Sequence, residues 1–233
     1  MLLFQSDNTI FNFIYPLGAV FIYLGGLVIL AEVLSRVLTG DPELTRKVVH
    51  IGSGNVILLA WWLDIPSRII ISAAIIAAAI AITSYIIPIL PSIESVGRQS
   101  FGTLFYAISI GVLAACFWQD NPQYTVIGIL VMAWGDGMAA IIGQRFGQHP
   151  YRIGQITKSW EGSLAMMVAS LIVTASILVT TQSNSWQIWS VSLLVALVAT
   201  ILEAFSKLGI DNLTVPLCSG FLCFYCVQAL SLS

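Results

Sequence analysis

The sequence predicts an all-α integral membrane protein, a single polytopic bundle of about eight transmembrane helices over residues 1–233. Three observations carry this reading. Hydrophobic residues make up 58% of the chain and charged ones only 9%, against about 25% charged in ordinary globular domains, and the mean hydropathy is +0.94. The apolar residues fall into eight runs near the length of a bilayer-spanning helix, about 17 to 25 residues. The basic residues collect at every second connection, the pattern of a multi-pass protein.

In chain order the runs are Ile14–Leu34, Val48–Leu63, Ile69–Leu90, Gly102–Trp118, Tyr124–Gly143, Gly162–Thr181, Ile188–Phe205 and Leu213–Leu230, the second and fourth being the shortest. Clusters of helix-breaking residues separate most of them: TGDPE at 39–43, DIPS at 64–67, PSIESVGRQS at 91–100, QDNPQ at 119–123 and TQSNS at 181–185. No repeat and no low-complexity tract interrupts the series.

The connections after the first, third, fifth and seventh runs hold Arg36, Arg46, Lys47, Arg98, Arg145, Arg152, Lys158 and Lys207, whereas Arg68 alone lies on the other side. Both termini are therefore expected to face away from the cytoplasm or its equivalent. The N-terminal MLLFQSDNTIFNF lacks a basic region and a small-residue cleavage site, so it reads as mature chain and not as a signal peptide. A formal net charge of −2 gives no reason to expect a nucleic-acid partner. Cys116, Cys218, Cys223 and Cys226 sit in or beside apolar runs with no His or carboxylate to complete a metal site, and read as small apolar residues.

Within this apolar chain, MAWGDGMAAIIGQRFG at 132–147 places a carboxylate, Asp136, between two glycines. An ionised Asp at the centre of a membrane helix costs about 2.5–3.5 kcal/mol on insertion scales, which makes it a functional candidate. Asp136 precedes Gly143 by seven residues, about 10 Å along a helix, so it lies inside the membrane but nearer the basic side. Ala140, Gly143 and Gly147 share its helix face. Two readings fit that face: a small-residue seam against another helix, or a surface where missing side chains admit a ligand beside the carboxylate.

The connection that follows, QRFGQHPYRIGQITKSWEGS at 144–163, brings Arg145, Arg152, Lys158 and Glu161. Residues 134–163 form the expected nucleotide-site segment. A divalent cation takes one or two carboxylates plus phosphate oxygens, and Lys or Arg neutralise the remaining charge. The plain alternative is an anchoring basic loop with a Lys158–Glu161 surface pair. No P-loop motif is present. Arg46, Lys47 and His50 in TRKVVHIGSGN, and Glu203, Asp211 and Asn212 in EAFSKLGIDNLTVPL, fall toward the same side.

RKVVH at 46–50, WGDGMAAIIGQRFG at 134–147, KSWEGS at 158–163 and E…GIDNLTVPL at 203–217 together resemble the CTP-dependent membrane kinases of isoprenoid and lipid alcohols, most closely the phytol kinase family. The likeness covers about residues 44–220. It implies transfer of the γ-phosphate of CTP to a long-chain primary alcohol, phytol above all, with Mg²⁺, and a place in phytol salvage toward tocopherol. The expected partners are the bilayer, the isoprenoid alcohol and the nucleoside triphosphate. Asp136 is expected to hold Mg²⁺, with Glu161 or Asp211 as second carboxylate. Lys158, Arg145 and Arg152 are expected at the phosphates, Arg46 and Lys47 at the transferred group, and His50 or Asp211 as base. Gly135, Gly137, Gly143, Gly147 and Asn212 complete the expected nucleotide site.

Two other functions compete. CDP-diacylglycerol synthases share a K-x-W-E-G segment, but their HGG and DR signature is replaced here by GIDNLTVPL at 209–217. A transporter would carry polar residues at mid-membrane depth on several helices and an inverted repeat. Neither is seen in the sequence.

Overall fold

The computed structural model describes residues 6–37, 42–86, 101–154, 156–182 and 184–231. It is all-α apart from one short hairpin. The helices are α1 (Ser6–Val37), α2 (Pro42–Gly54), α3 (Val56–Trp62), α4 (Ser67–Ile86), α5 (Gly102–Phe117), α6 (Pro122–Phe146), α7 (Trp160–Thr181), α8 (Trp186–Ala204) and α9 (Asp211–Ser231), with the antiparallel strands β1 (Pro150–Ile153) and β2 (Ile156–Ser159) between α6 and α7. Six of these helices, α1, α4, α6, α7, α8 and α9, are long and apolar enough to cross a membrane. The two short runs of the sequence are the α2–α3 pair and α5, whose 16 residues span only about 24 Å. Arg98, the PSIESVGRQS segment and the 87–90 end of the third run lie outside the described residues.

The second pass is not the continuous run expected from Val48 to Leu63. It begins earlier, at Pro42, which is suited to the first turn because its missing N–H is unneeded there. It then breaks between Gly54 and Val56. Both glycines here serve close packing: a Cβ on Gly52 would fall 2.4 Å from Leu27 Cδ1 of α1, and one on Gly54 would fall 2.3 Å from Ala133 Cβ of α6. The Tyr23 hydroxyl of α1 donates to the Gly52 carbonyl at 2.9 Å, fastening the pair from the other side.

Helix α6 is the axis of the bundle. It packs against α7, α9, α2 and α5, and 61% of its apolar window is buried inside the protein, more than in any other span among the described residues. Without a hydrophobic drive between helices in lipid, close packing of small residues is what joins them. A Cβ on Gly128 would stand 2.5 Å from the Pro216 carbonyl of α9, and one on Gly162 would stand 2.9 Å from the Ala139 carbonyl.

Pro216 has a second consequence. Inside α9 it cannot donate to the carbonyl four residues back, that of Asn212. The Ser109 hydroxyl of α5 donates to that carbonyl at 2.7 Å instead.

The 144–163 connection, expected as a loop, folds partly into the β1–β2 hairpin. Tyr151 pairs with Lys158 and Arg152 with Thr157, and Gly154 takes the left-handed conformation at the turn (φ 60°). Ser159 then caps α7 by accepting from the Gly162 N–H at 3.1 Å.

Candidate active site

Asp136 stands on α6 facing α2. Lys47 donates to its Oδ2 at 2.5 Å, and His50, one turn farther along α2, brings Nε2 to 3.7 Å from the same oxygen. The pairing follows from helical periodicity: Lys47 and His50 are three apart and share one face, and Ile51, packed into the notch left by Gly137, fixes the register of α2 on α6. The Met132 carbonyl of α6 lies beside the His50 ring. Nε2 is buried without a hydrogen-bond partner, and in the neutral ring one nitrogen donates while the other accepts.

A second ion pair closes the site from α8. Lys158, on β2, donates to a carboxylate oxygen of Glu203 and to the Glu203 backbone carbonyl at 2.6 Å. Both partners are largely buried, and Glu203 Oε2 is left without a partner. Asp211, at the first turn of α9, accepts from the Asn212 N–H at 3.0 Å and the Asn212 amide at 3.3 Å. Its own N–H donates to Ser206 at 3.0 Å.

These groups act on one another. Asp136 feels the charges of Lys47 and Lys158 beside His50, Asp211 and Glu203 each feel Asp136 and Lys158, and Arg46 feels Asp136 and Asp211. Five elements, α2, α6, β2, α8 and α9, thus bring three carboxylates, two buried lysines, a histidine and an arginine to one end of an apolar bundle. An open cleft of about 460 Å³ at the opposite end, lined by Trp61, Asp64, Arg68 and Trp118, holds none of this cluster.

Of the residues singled out in the sequence, Asp136, Lys47, His50, Lys158, Arg46, Asp211 and Asn212 come together. Glu161 does not join them. Its carboxylate takes the exposed His149 ring at 2.6 Å, and it adjoins Gly162, whose neighbour on α6 is Gly143, about 10 Å along the helix from Asp136. Arg145, in the last turn of α6, and Arg152, on β1, are exposed.

The glycines also differ from the expected ligand surface. A Cβ on Gly135 would meet Met166 Sδ at 2.3 Å, on Gly137 Ile51 Cγ1 at 2.5 Å, on Gly143 Ser159 Oγ at 3.1 Å, and on Gly147 Ser159 Oγ at 2.8 Å. Protein already fills these notches, so the face reads as a helix-packing seam. Among the described residues no three His, Cys, Asp or Glu side chains gather to hold a metal by themselves.

Glu203 has a larger part than its sequence position indicated, and Tyr106 was invisible in its apolar run. The Tyr106 ring lies 5.4 Å from that of His50, centroid to centroid, with its hydroxyl sealed and unpartnered. The signal for Glu203 was a carboxylate at the end of an apolar run, the same oddity that exposed Asp136.

No protein-family model and no solved structure matches the chain. Curated relatives do. The chain is 52% identical over 201 residues to the phytol kinase of Synechocystis sp., covering 86% of each protein. It is 30% identical over 235 residues to phytol kinase 1, chloroplastic, of Arabidopsis thaliana, covering 88% of this chain and 75% of the plant protein. At this identity over this much of both proteins, the chain belongs to the phytol kinase family.

Proposed function

We propose that this protein phosphorylates phytol, taking the γ-phosphate of CTP with Mg²⁺ and releasing CDP and phytyl phosphate. The observation that carries the reading is the convergence of Asp136, Lys47, His50, Lys158, Glu203 and Asp211 at one end of an otherwise apolar bundle. A phytyl chain belongs in lipid and a nucleoside triphosphate in water, so the reaction requires charge where the two meet. Phosphoryl transfer asks a protein mainly for positioning and neutralisation. The choice of phytol follows the names of the relatives. CTP as donor follows the motif resemblance.

The donor set suits an ion that arrives with the nucleotide. Mg²⁺ is commonly bound through one or two carboxylates plus substrate phosphates, and Asp136 and Asp211 are the two carboxylates for it, in place of the Asp136–Glu161 pair. When bound, the ion neutralises phosphate charge. Lys158 and Arg46 contact phosphate oxygens, with Lys47 holding Asp136 in place. His50 Nε2 takes the hydroxyl proton as the alcohol oxygen bonds the γ-phosphorus. The bond from that phosphorus to the β-phosphate bridging oxygen breaks, CDP leaves, and the proton passes to water. On the positive-inside rule the site faces the cytoplasm or its equivalent, with both termini opposite.

The test is membranes bearing the protein, Mg²⁺, phytol and CTP labelled in the α- or γ-position, with labelled ATP in parallel. Label from γ-CTP alone in phytyl phosphate supports the reading. Label from α-CTP in a lipid product means nucleotidyl transfer and overturns it, as does the absence of label from any lipid.

A further inference from the structure

We infer that Tyr106 and His50 form the receiving site for the hydroxyl of the acceptor alcohol, with Tyr106 donating a hydrogen bond to its oxygen and His50 Nε2 accepting its proton. The inference rests on the proposed kinase activity and adds to it a substrate contact on α5.

Buried polar atoms without partners are rare and call for a reason. Here two of them, the Tyr106 hydroxyl and His50 Nε2, belong to rings in contact, 5.4 Å between centroids. They differ in what they lack. A neutral imidazole can accept at Nε2, and the phenol has a proton to give. A hydroxyl is the group that satisfies both at once, because it donates one proton and accepts through its lone pairs.

Position agrees with chemistry. Gly54 leaves the space in which the phenol ends: a Cβ there would lie 3.1 Å from the Tyr106 hydroxyl. Gly54 packs on Ala133, three residues before Asp136 on α6, so the phenol lies about 4–5 Å farther from the basic end than the carboxylate. A nucleotide approaching Lys158 and Arg46 from the water side and an alcohol rising from the apolar side therefore meet at His50 and Asp136.

The test is Tyr106→Phe in the full chain, which keeps the ring and removes only the hydroxyl. We expect kcat/KM for phytol to fall at least tenfold with the KM for nucleotide unchanged. The melting temperature of the ligand-free protein should hold or rise, because an unpartnered buried hydroxyl has gone. A binding readout accompanies it: phytol should raise the wild-type melting temperature more than phytane, the hydrocarbon without the hydroxyl, and Y106F should lose that difference. A wild-type kcat/KM for phytol in Y106F, or a retained preference for phytol over phytane, overturns the inference while leaving the kinase reading intact. A wild type that labels no alcohol from any nucleotide overturns the kinase reading instead.

Discussion

Lys47 and Asp136 are 89 residues apart in sequence and joined at 2.5 Å across the α2–α6 interface, with only 10% and 14% of their side chains exposed. In such surroundings the two charges depend on each other, because an ion left alone in a low-dielectric interior loses hydration without compensation. The pair also holds the carboxylate where His50 can share it.

Replacing Lys47 by Met should therefore destabilise the protein by about 3–5 kcal/mol, the usual cost of orphaning one partner of a buried pair. The Lys47→Met, Asp136→Asn double variant should regain most of this. Thermal unfolding in detergent measures both, and an additive result would show that the pair is not coupled.

The Ser109–Asn212 contact gives a second cycle. Ser109→Ala leaves the Asn212 carbonyl without its donor and should cost about 1–3 kcal/mol. With Pro216→Ala in place a helical N–H returns to that carbonyl, and the Ser109 substitution should then cost little. Equal costs in both backgrounds would reject the compensation.

Packing at the seam separates two glycines. Gly162→Ala drives a Cβ toward backbone, the Ala139 carbonyl at 2.9 Å, whereas Gly135→Ala meets the flexible end of Met166. Overpacking costs about 1–3 kcal/mol, and Gly162→Ala should lie at the upper end and Gly135→Ala at the lower. Neither should alter the KM for nucleotide in protein that remains folded; a raised KM would restore the ligand-surface reading of these glycines.

Glu161 and Asp211 are distinguished by metal dependence. Glu161→Gln should leave the Mg²⁺ requirement unchanged, since that carboxylate is occupied by His149. Asp211→Asn should raise the Mg²⁺ concentration needed for half-maximal turnover. The reverse pattern would return Glu161 to the site.

The passes were legible because a bilayer imposes a length on each helix, and the described helices overlap all eight runs. Five of them, α4, α6, α7, α8 and α9, start two residues before their runs, since polar and tryptophan-bearing ends such as Trp160 and Trp186 continue the helix into the interface. Asp136, His50, Lys158 and Asp211 were legible because an ionisable group is conspicuous among apolar neighbours. Pairings were not: nothing local tells Lys47 to choose Asp136 or Lys158 to choose Glu203. Tyr106 was hidden because a tyrosine in an apolar run looks like any interfacial aromatic until its hydroxyl is found buried. The hairpin left a faint signal, with Tyr151 and Ile153 alternating before Gly154 and Ile156 and Lys158 after it. The glycines around Asp136 pointed equally to a seam and to a ligand surface, and only the partners Met166, Ile51 and Ser159 separate the two.

The most direct test of the account is the turnover of phytol with Mg²⁺ and γ-labelled CTP by Asp136→Asn, expressed per mole of folded protein. A fall of at least about 100-fold is expected, the scale of losing one preorganised charge at a phosphoryl-transfer site. Turnover near that of the wild type, with the usual Mg²⁺ dependence, would contradict it.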